Sequence, residues 1–113
     1  MNFDSTSGFD RDCKRLVKRY RSLEEDLNEL KKVLSFLPIG NGRHFAILSE
    51  TDTIRIVKAR LFCRYLKGSS LRVIYAYREE TVQIDFIELY FKGDQETEDS
   101  ERIKEYLKDN NCL

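Results

Sequence analysis

The sequence predicts an α+β domain in which an N-terminal strand and a helical hairpin precede an antiparallel β-meander sheet and a C-terminal helix. Two observations lead to this class. Apolar residues recur at intervals of three and four up to residue 37, and β-branched and aromatic residues dominate between residues 44 and 92. The 113 residues are 41% hydrophobic, which suits one packed core. We therefore expect a single domain, 1–113, with an acidic C-terminal helix from about residue 94.

The first 38 residues predict one short strand and two helices. Residues 2–6 can form the strand, and the apolar positions within residues 8–20 then follow helical spacing. A second helix begins at Ser22, which has the capping-box spacing with Glu25, and Pro38 ends it. We expect the two helices to form a hairpin that covers one face of the sheet, while the other face is partly open or covered by a partner.

Four apolar runs predict the strands of the meander, and short turn-forming segments connect the last three of them. The runs are residues 44–48, 53–66, 71–77 and 81–91. Strict alternation along the last run separates two faces. One face carries Val82, Ile84, Phe86, Glu88 and Tyr90, and the other carries Gln83, Asp85, Ile87, Leu89 and Phe91.

The chain becomes acidic after Gly93. Apolar residues at positions 103, 106 and 107 predict a helix from about residue 98 to 109 with a narrow apolar stripe. Such a helix could pack against the sheet edge or detach from it, and the sequence leaves both arrangements open.

Composition excludes several classes of protein. No apolar run is long enough to cross a bilayer, and the N-terminus lacks the pattern of a signal peptide, so a cytoplasmic location is expected. Cysteines occur only at positions 13, 63 and 112, without a CxxC pair. Because no ligand cluster is visible in the sequence, we expect neither a metal nor a cofactor.

Charge is balanced in total but segregated along the chain. The 20 Lys and Arg residues equal the 20 Asp and Glu residues, yet residues 53–78 hold seven bases and no acid. Residues 11–21 hold six bases and one acid, whereas residues 94–109 hold seven acids and three bases. A basic sheet surface with interleaved aromatic residues suits a polyanion such as RNA, because cations contact phosphates and rings stack on bases. A solvated strand face is the alternative interpretation.

Lys58 and Arg60 are the sharpest feature of the basic region. Two residues apart on one strand, they project from the same face, with side-chain origins roughly 7 Å apart. A phosphate between them would contact two cations, and a solvated pair is again the alternative.

Three segments together resemble the RelE/ParE superfamily of toxins from type II toxin-antitoxin modules. Residues 56–61 (IVKARL) resemble the family strand Y-K-x-[KR]-L, and residues 70–75 (SLRVIY) resemble its strand G-Y-R-[VL]-[IV]-Y. Residues 87–94 (IELYFKGD) resemble the closing strand with its Y-x-K-x-[DE] end. The order of these segments matches the predicted order of elements over nearly the whole chain, so the resemblance implies a RelE-like fold.

The resemblance implies a ribosome-dependent mRNA endoribonuclease that inhibits translation and needs no metal, with an antitoxin as its partner covering the basic sheet. By position, Lys58 would be the base or a phosphate ligand, and Arg60 and Arg72 would stabilise charge on the phosphate. Lys92 falls at the basic end of the closing strand and completes the candidate catalytic set. The candidate RNA-binding residues are Arg55, Arg64, Lys67, Tyr75, Arg78 and Tyr90.

Two departures from the family pattern keep other functions open. Gly93 stands where active members have a further Arg, and an acidic stretch from Asp94 to Glu101 stands where they have a Tyr or His. His44, the single histidine, matches no catalytic position of the family. A gyrase-inhibiting toxin like the ParE branch, or a catalytically inactive member that only binds its antitoxin, are therefore the alternatives.

Overall fold

The computed structural model describes residues 1–64 and 70–110, and within them the α+β class is confirmed. The predicted RNA contact of Lys67 and the predicted turn at Gly68 and Ser69 lie outside the described residues. The elements are β1 (Asn2–Ser5), α1 (Ser7–Leu16), α2 (Leu23–Phe36), β2 (Phe45–Glu50), β3 (Ile54–Phe62), β4 (Ser70–Arg78), β5 (Gln83–Phe91) and α3 (Ser100–Asp109). None of the helices in these residues has the length and apolar character needed to cross a membrane.

The strands form one sheet in the order β1-β5-β4-β3-β2. Strands β2 to β5 are antiparallel neighbours in chain order, which confirms the predicted meander. Strand β1 pairs with β5 in parallel, and Phe3 lies opposite Ile84. The first strand of the chain is therefore added beside the last one.

Each face of the sheet has its own apolar cluster. On the face called here the hairpin face, residues of α1 and α2 such as Leu16 and Leu34 pack against Val57, Val73 and Leu89. On the opposite face, called the α3 face, Tyr106 and Leu107 pack against Ile56, Ile74 and Ile87. The C-terminal helix is thus docked on the sheet, which resolves the arrangement that the sequence left open.

The strict alternation predicted for β5 is wrong, because this strand contains a β-bulge. Tyr75 lies opposite Phe86 and Ile74 lies opposite Glu88, so Ile87 is an extra residue without a partner on β4. Residues before and after the bulge therefore change faces. Phe86 and Leu89 both belong to the hairpin cluster, although they are three residues apart.

The helix boundaries also differ from the prediction. Helix α1 ends at Leu16 and not at Tyr20, because the amides of Arg19 and Tyr20 both donate to the Leu16 carbonyl and close a turn. The capping box predicted at the start of α2 does not form. The Ser22 hydroxyl donates to the Asp26 carboxylate at 2.7 Å instead of accepting from the backbone.

Asp12 of α1 connects α1, β5 and α3 at the sheet edge. Strand β1 pairs with β5 only as far as Phe86, so on this edge the later backbone groups of β5 have no neighbouring strand. The Asp12 carboxylate accepts from the Leu89 amide at 3.0 Å and from both terminal nitrogens of Arg102 at 2.6 and 3.1 Å. The exposed edge is therefore closed by an ion pair that also fixes α3.

Candidate active site

Three of the four predicted catalytic residues lie together on the α3 face. Lys58 and Arg60 continue the row that begins with the buried residues Ile54 and Ile56 of β3. Arg72 of β4 lies directly opposite Arg60 in the antiparallel register. We call Lys58, Arg60 and Arg72 the cationic cluster. Lys92 is exposed in the turn that follows β5.

Arg60 and Arg72 face each other across β3 and β4, and like charges directly opposite each other repel. The Arg72 side chain lies in a buried position with the residue 8% exposed, whereas Arg60 is exposed. Burial is the main cause that lowers the pKa of Arg72, and the charge of Arg60 lowers it further. An anionic group bound between the two guanidinium groups would relieve this repulsion.

Tyr90 of β5 lies opposite Arg72 and forms the next position of the same face. It was predicted to contact RNA, but its ring is buried in the apolar cluster beneath α3. Burial raises the pKa of Tyr90 to about 12, and the carboxylates of Glu98 and Glu88 add to this rise. The phenol is therefore neutral at physiological pH, and its ring supports the floor of the site.

Glu98 is a member of the site that the sequence did not assign. The Lys58 ammonium donates to Glu98 Oε1 at 2.8 Å, with 29% of the Lys58 side chain and 22% of the Glu98 side chain exposed. The hydrogen bond from Lys58 lowers the pKa of Glu98, although partial burial acts in the opposite direction. The only signal in the sequence was the acidic stretch at residues 94–101, which we call the acidic segment.

Buried Glu88 holds the acidic segment against the sheet. One of its carboxylate oxygens accepts from the Asp99 amide at 2.8 Å, and the other accepts from the Gln95 side-chain amide at 2.7 Å. Because Asp99 and Gln95 flank Glu98, these two bonds fix the backbone from which Glu98 reaches Lys58. The bulge at Ile87 turns Glu88 toward this face.

The other predicted RNA-binding residues do not join the cationic cluster. Arg55 and Lys58 are three positions apart on β3, so their side chains project from opposite faces and Arg55 lies on the hairpin face. There it pairs with Glu50 at 4.0 Å. Arg78 shares the α3 face but lies six residues, about 20 Å, beyond Arg72, and pairs with Asp85 at 3.6 Å.

Tyr75 and Arg64 are also separated from the cluster. Tyr75 is fully buried within the hairpin cluster, and its hydroxyl donates to the Pro38 carbonyl at 2.8 Å. The predicted stacking of this ring on an RNA base therefore does not fit the fold, because no base can reach it. Arg64 follows β3 and pairs with Glu25 of α2 at 3.1 Å.

A largely apolar groove of about 380 Å³ adjoins the cluster at the end of the sheet where β2 begins. It lies between α2, β2 and β3, and Val33, Phe45 and Phe62 are among its lining residues. Arg60, a member of the cationic cluster, is also among the residues that line the groove. A ligand in this groove would contact mostly hydrocarbon, and the charged residues among the lining are Asp26, Glu29, Arg60 and Arg64.

No group of three or more His, Cys, Asp or Glu side chains that could hold a metal ion occurs in residues 1–64 and 70–110.

No protein-family model and no curated protein sequence matches this chain. Among solved structures, the chain is similar to RelE in the archaeal RelE-RelB complex from Pyrococcus horikoshii OT3. The TM-score is 0.63, with 19% sequence identity, and the match covers 81% of this chain and 94% of that chain. The chain therefore has a RelE-like fold, as the three sequence motifs implied.

Proposed function

We propose that this chain is the toxin of a type II toxin-antitoxin module and acts in the cytoplasm as a ribosome-dependent mRNA endoribonuclease that inhibits translation. The observation that carries the proposal is the cationic cluster, in which two neighbouring strands present Lys58, Arg60 and Arg72 on one face. The RelE-like fold supports it, since the solved RelE is found in a complex with RelB.

The cluster suits cleavage of RNA through its own 2′-hydroxyl. In this reaction the 2′-oxygen attacks the adjacent phosphorus, and negative charge accumulates on the phosphate oxygens. Arg60 and Arg72 can offer several N–H donors to those oxygens, and Lys58 adds a third positive charge. Lys92, exposed in the turn after β5, can contact the RNA backbone.

The antitoxin is proposed to bind across the cationic cluster and the adjoining apolar groove. Arg60 lines the groove and also belongs to the cluster. A segment with apolar residues in the groove and a carboxylate on Arg60 would therefore exclude RNA from the cluster. An acidic amphipathic segment of the antitoxin has this chemistry.

The proposal is tested by adding the purified protein to ribosomes translating a reporter mRNA and mapping cut sites by primer extension. We expect cleavage by the wild type and a loss of at least about 100-fold in the Lys58→Ala/Arg72→Ala double variant, which removes two phosphate contacts. The matched control is Lys32→Ala/Lys104→Ala, which also removes two positive charges, each from an exposed pair within one helix. The control variant should cleave like the wild type.

Expression in cells without antitoxin separates the alternatives. The proposal is supported if the wild type arrests growth and the Lys58→Ala/Arg72→Ala double variant does not. Intact mRNA together with gyrase-DNA cleavage complexes would replace it with a gyrase-inhibiting function. Normal growth together with a tight antitoxin complex would indicate an inactive member.

A further inference from the structure

The acidic segment places one carboxylate inside the cationic cluster. Glu98 lies forty positions after Lys58 in the chain, yet its Oε1 atom is 2.8 Å from the Lys58 ammonium. The contact is built into the fold, because buried Glu88 binds the backbone and side chain of residues on both sides of Glu98. Glu98 is thus held at the one place where an RNA phosphate is proposed to bind.

The neighbouring titratable groups leave Glu98 as the available base. Lys58 on β3 keeps the Glu98 carboxylate ionised, since its hydrogen bond lowers the pKa of Glu98. Tyr90 on β5 is a neutral phenol at physiological pH, and Arg72 on β4 is a cation. Both oxygens of Glu88 accept hydrogen bonds within the fold. Glu98 is more exposed than Glu88, which is buried, so substrate can reach it.

We propose that Glu98 is the general base that removes the proton from the 2′-hydroxyl of the RNA substrate. This inference rests on the proposed ribonuclease function and assigns a residue to its first step. A Glu98 carboxylate oxygen takes the proton, and the 2′-oxygen forms a bond to phosphorus with the released electron pair. The bond between phosphorus and the 5′-oxygen then breaks, and the 5′-oxygen leaves with that electron pair.

The products follow from these bonds. They are a 2′,3′-cyclic phosphate and a 5′-oxygen that takes a proton from water. The hydroxide left from that water removes the proton from Glu98, which returns the carboxylate to its starting state. No metal, oxidant or further reactant is required.

The same contact assigns a role to Lys58. An incoming phosphate competes with Glu98 for the Lys58 ammonium, so substrate binding frees a lone pair on the carboxylate. Lys58 then acts as a phosphate ligand and not as the base. The Lys58 side chain has rotatable bonds along its whole length, which allows it to turn from Glu98 to the phosphate.

The test is single-turnover cleavage of mRNA on ribosomes by the wild type, Glu98→Gln, Glu98→Asp and the control Glu96→Gln. Glu96 is exposed and lies in the same segment, so its substitution makes the same change in charge. General base catalysis contributes about 10²- to 10⁴-fold, so we expect Glu98→Gln to lose at least about 100-fold. Glu98→Asp should retain part of the activity, and Glu96→Gln should match the wild type.

A pH profile distinguishes a base from a residue that only shapes the site. Between about pH 6 and 8 the wild-type rate should be nearly independent of pH, because an ionised Glu98 is present throughout. In Glu98→Gln the residual rate should rise about tenfold per pH unit, since hydroxide must remove the proton. Thermal unfolding of each variant identifies any loss of cleavage that comes from misfolding. If Glu98→Gln does not fold, Glu98→Asp is the folded variant that is compared with the wild type.

Three results would overturn the inference. If the wild type cleaves mRNA and Glu98→Gln cleaves as fast or faster, Glu98 screens the cluster and the ribonuclease proposal still stands. If Glu98→Gln cleaves slowly and its rate does not depend on pH, Glu98 only positions other groups of the site. If the wild type cleaves no mRNA on ribosomes, both the ribonuclease proposal and the assignment of Glu98 as its general base are rejected.

Discussion

Replacing Arg102 by Ala should destabilise the protein by about 2 to 3 kcal/mol, because it removes the hydrogen-bonded cation from a buried carboxylate. The exposed Arg15, 3.7 Å from Asp12 Oδ1, then remains as a cation near this carboxylate. The Asp12 side chain is only 6% exposed and accepts two hydrogen bonds from Arg102. Breaking a fully buried ion pair on one side costs about 3 to 5 kcal/mol. The Arg102 side chain is 29% exposed, and the Leu89 amide still donates to Asp12, so the expected loss lies at or just below the lower limit of that range.

The assay is thermal and urea unfolding of the wild type and the variant, monitored by circular dichroism. For a domain of this length, 1 kcal/mol corresponds to about 4 °C, so Arg102→Ala should lower Tm by about 8 to 12 °C. Lys104→Ala is the matched control, since it removes a positive charge from the same helix. Its pair with Glu101 is exposed, with 66% of the Lys104 and 79% of the Glu101 side chain accessible, so its effect should stay below about 1 kcal/mol.

Equal stabilities of Arg102→Ala and Lys104→Ala would refute the reasoning. Hydrogen exchange adds a local readout, because the Arg102–Asp12 pair is one of the contacts that attach α3, beside its narrow apolar stripe, the acidic segment and the hydrogen bond from the Tyr106 hydroxyl to Asp85. Amides of α3 should exchange faster in Arg102→Ala than in Lys104→Ala. Unchanged exchange in α3 would show that the Asp12 pair does not hold this helix.

Three further predictions concern residues of the sheet. Tyr75→Phe should lower stability by about 1 kcal/mol through loss of the hydroxyl bond to Pro38, with mRNA cleavage unchanged, as urea unfolding and the ribosome assay can check. Burial raises the pKa of Tyr90 from 10.0 to about 12, so its contribution to stability is complete below pH 10 and is lost as the pH rises toward 12. When the pH is raised from 9 to 11, the urea unfolding midpoint should therefore fall less in Tyr90→Phe than in the wild type. An equal fall of the midpoint in both proteins would contradict this. Arg60→Ala should slow cleavage about 100-fold, whereas Arg55→Ala on the opposite face should change it by less than about twofold, and equal losses would remove the distinction between the faces.

The fold was largely predictable because its elements depend on short-range patterns. Helical spacing predicted α1 and α2, and runs of β-branched and aromatic residues with short connections predicted the meander. Both patterns are local properties of one segment, so they can be recognised without knowing which element the segment packs against. The bulge at Ile87 could not be read in this way, since an extra residue is defined only relative to the opposite strand.

The candidate site was predictable only in part, for the same reason. Alternation on β3 indicated that Lys58 and Arg60 share a face, and the same alternation places Arg55 on the opposite face. Likewise, Tyr75 is three residues from Arg72 on β4, which places it on the opposite face. The contact of Glu98 with Lys58 depends on how a loop crosses the sheet, and no local pattern contains that information.

The parallel pairing of β1 with β5 sets an order of events during synthesis. Residues 2–5 have no strand partner until residues 83–86 have been made, and Asp12 lacks its hydrogen-bonded cation until residue 102. At about 5 to 20 residues per second, the first of these delays is roughly 4 to 16 s. Lys58, Arg60 and Arg72 are translated before Glu98 and before the helix that covers their face. A nascent chain therefore carries the cationic cluster before it carries the carboxylate that pairs with Lys58, so the candidate site is assembled only after the acidic segment has been made.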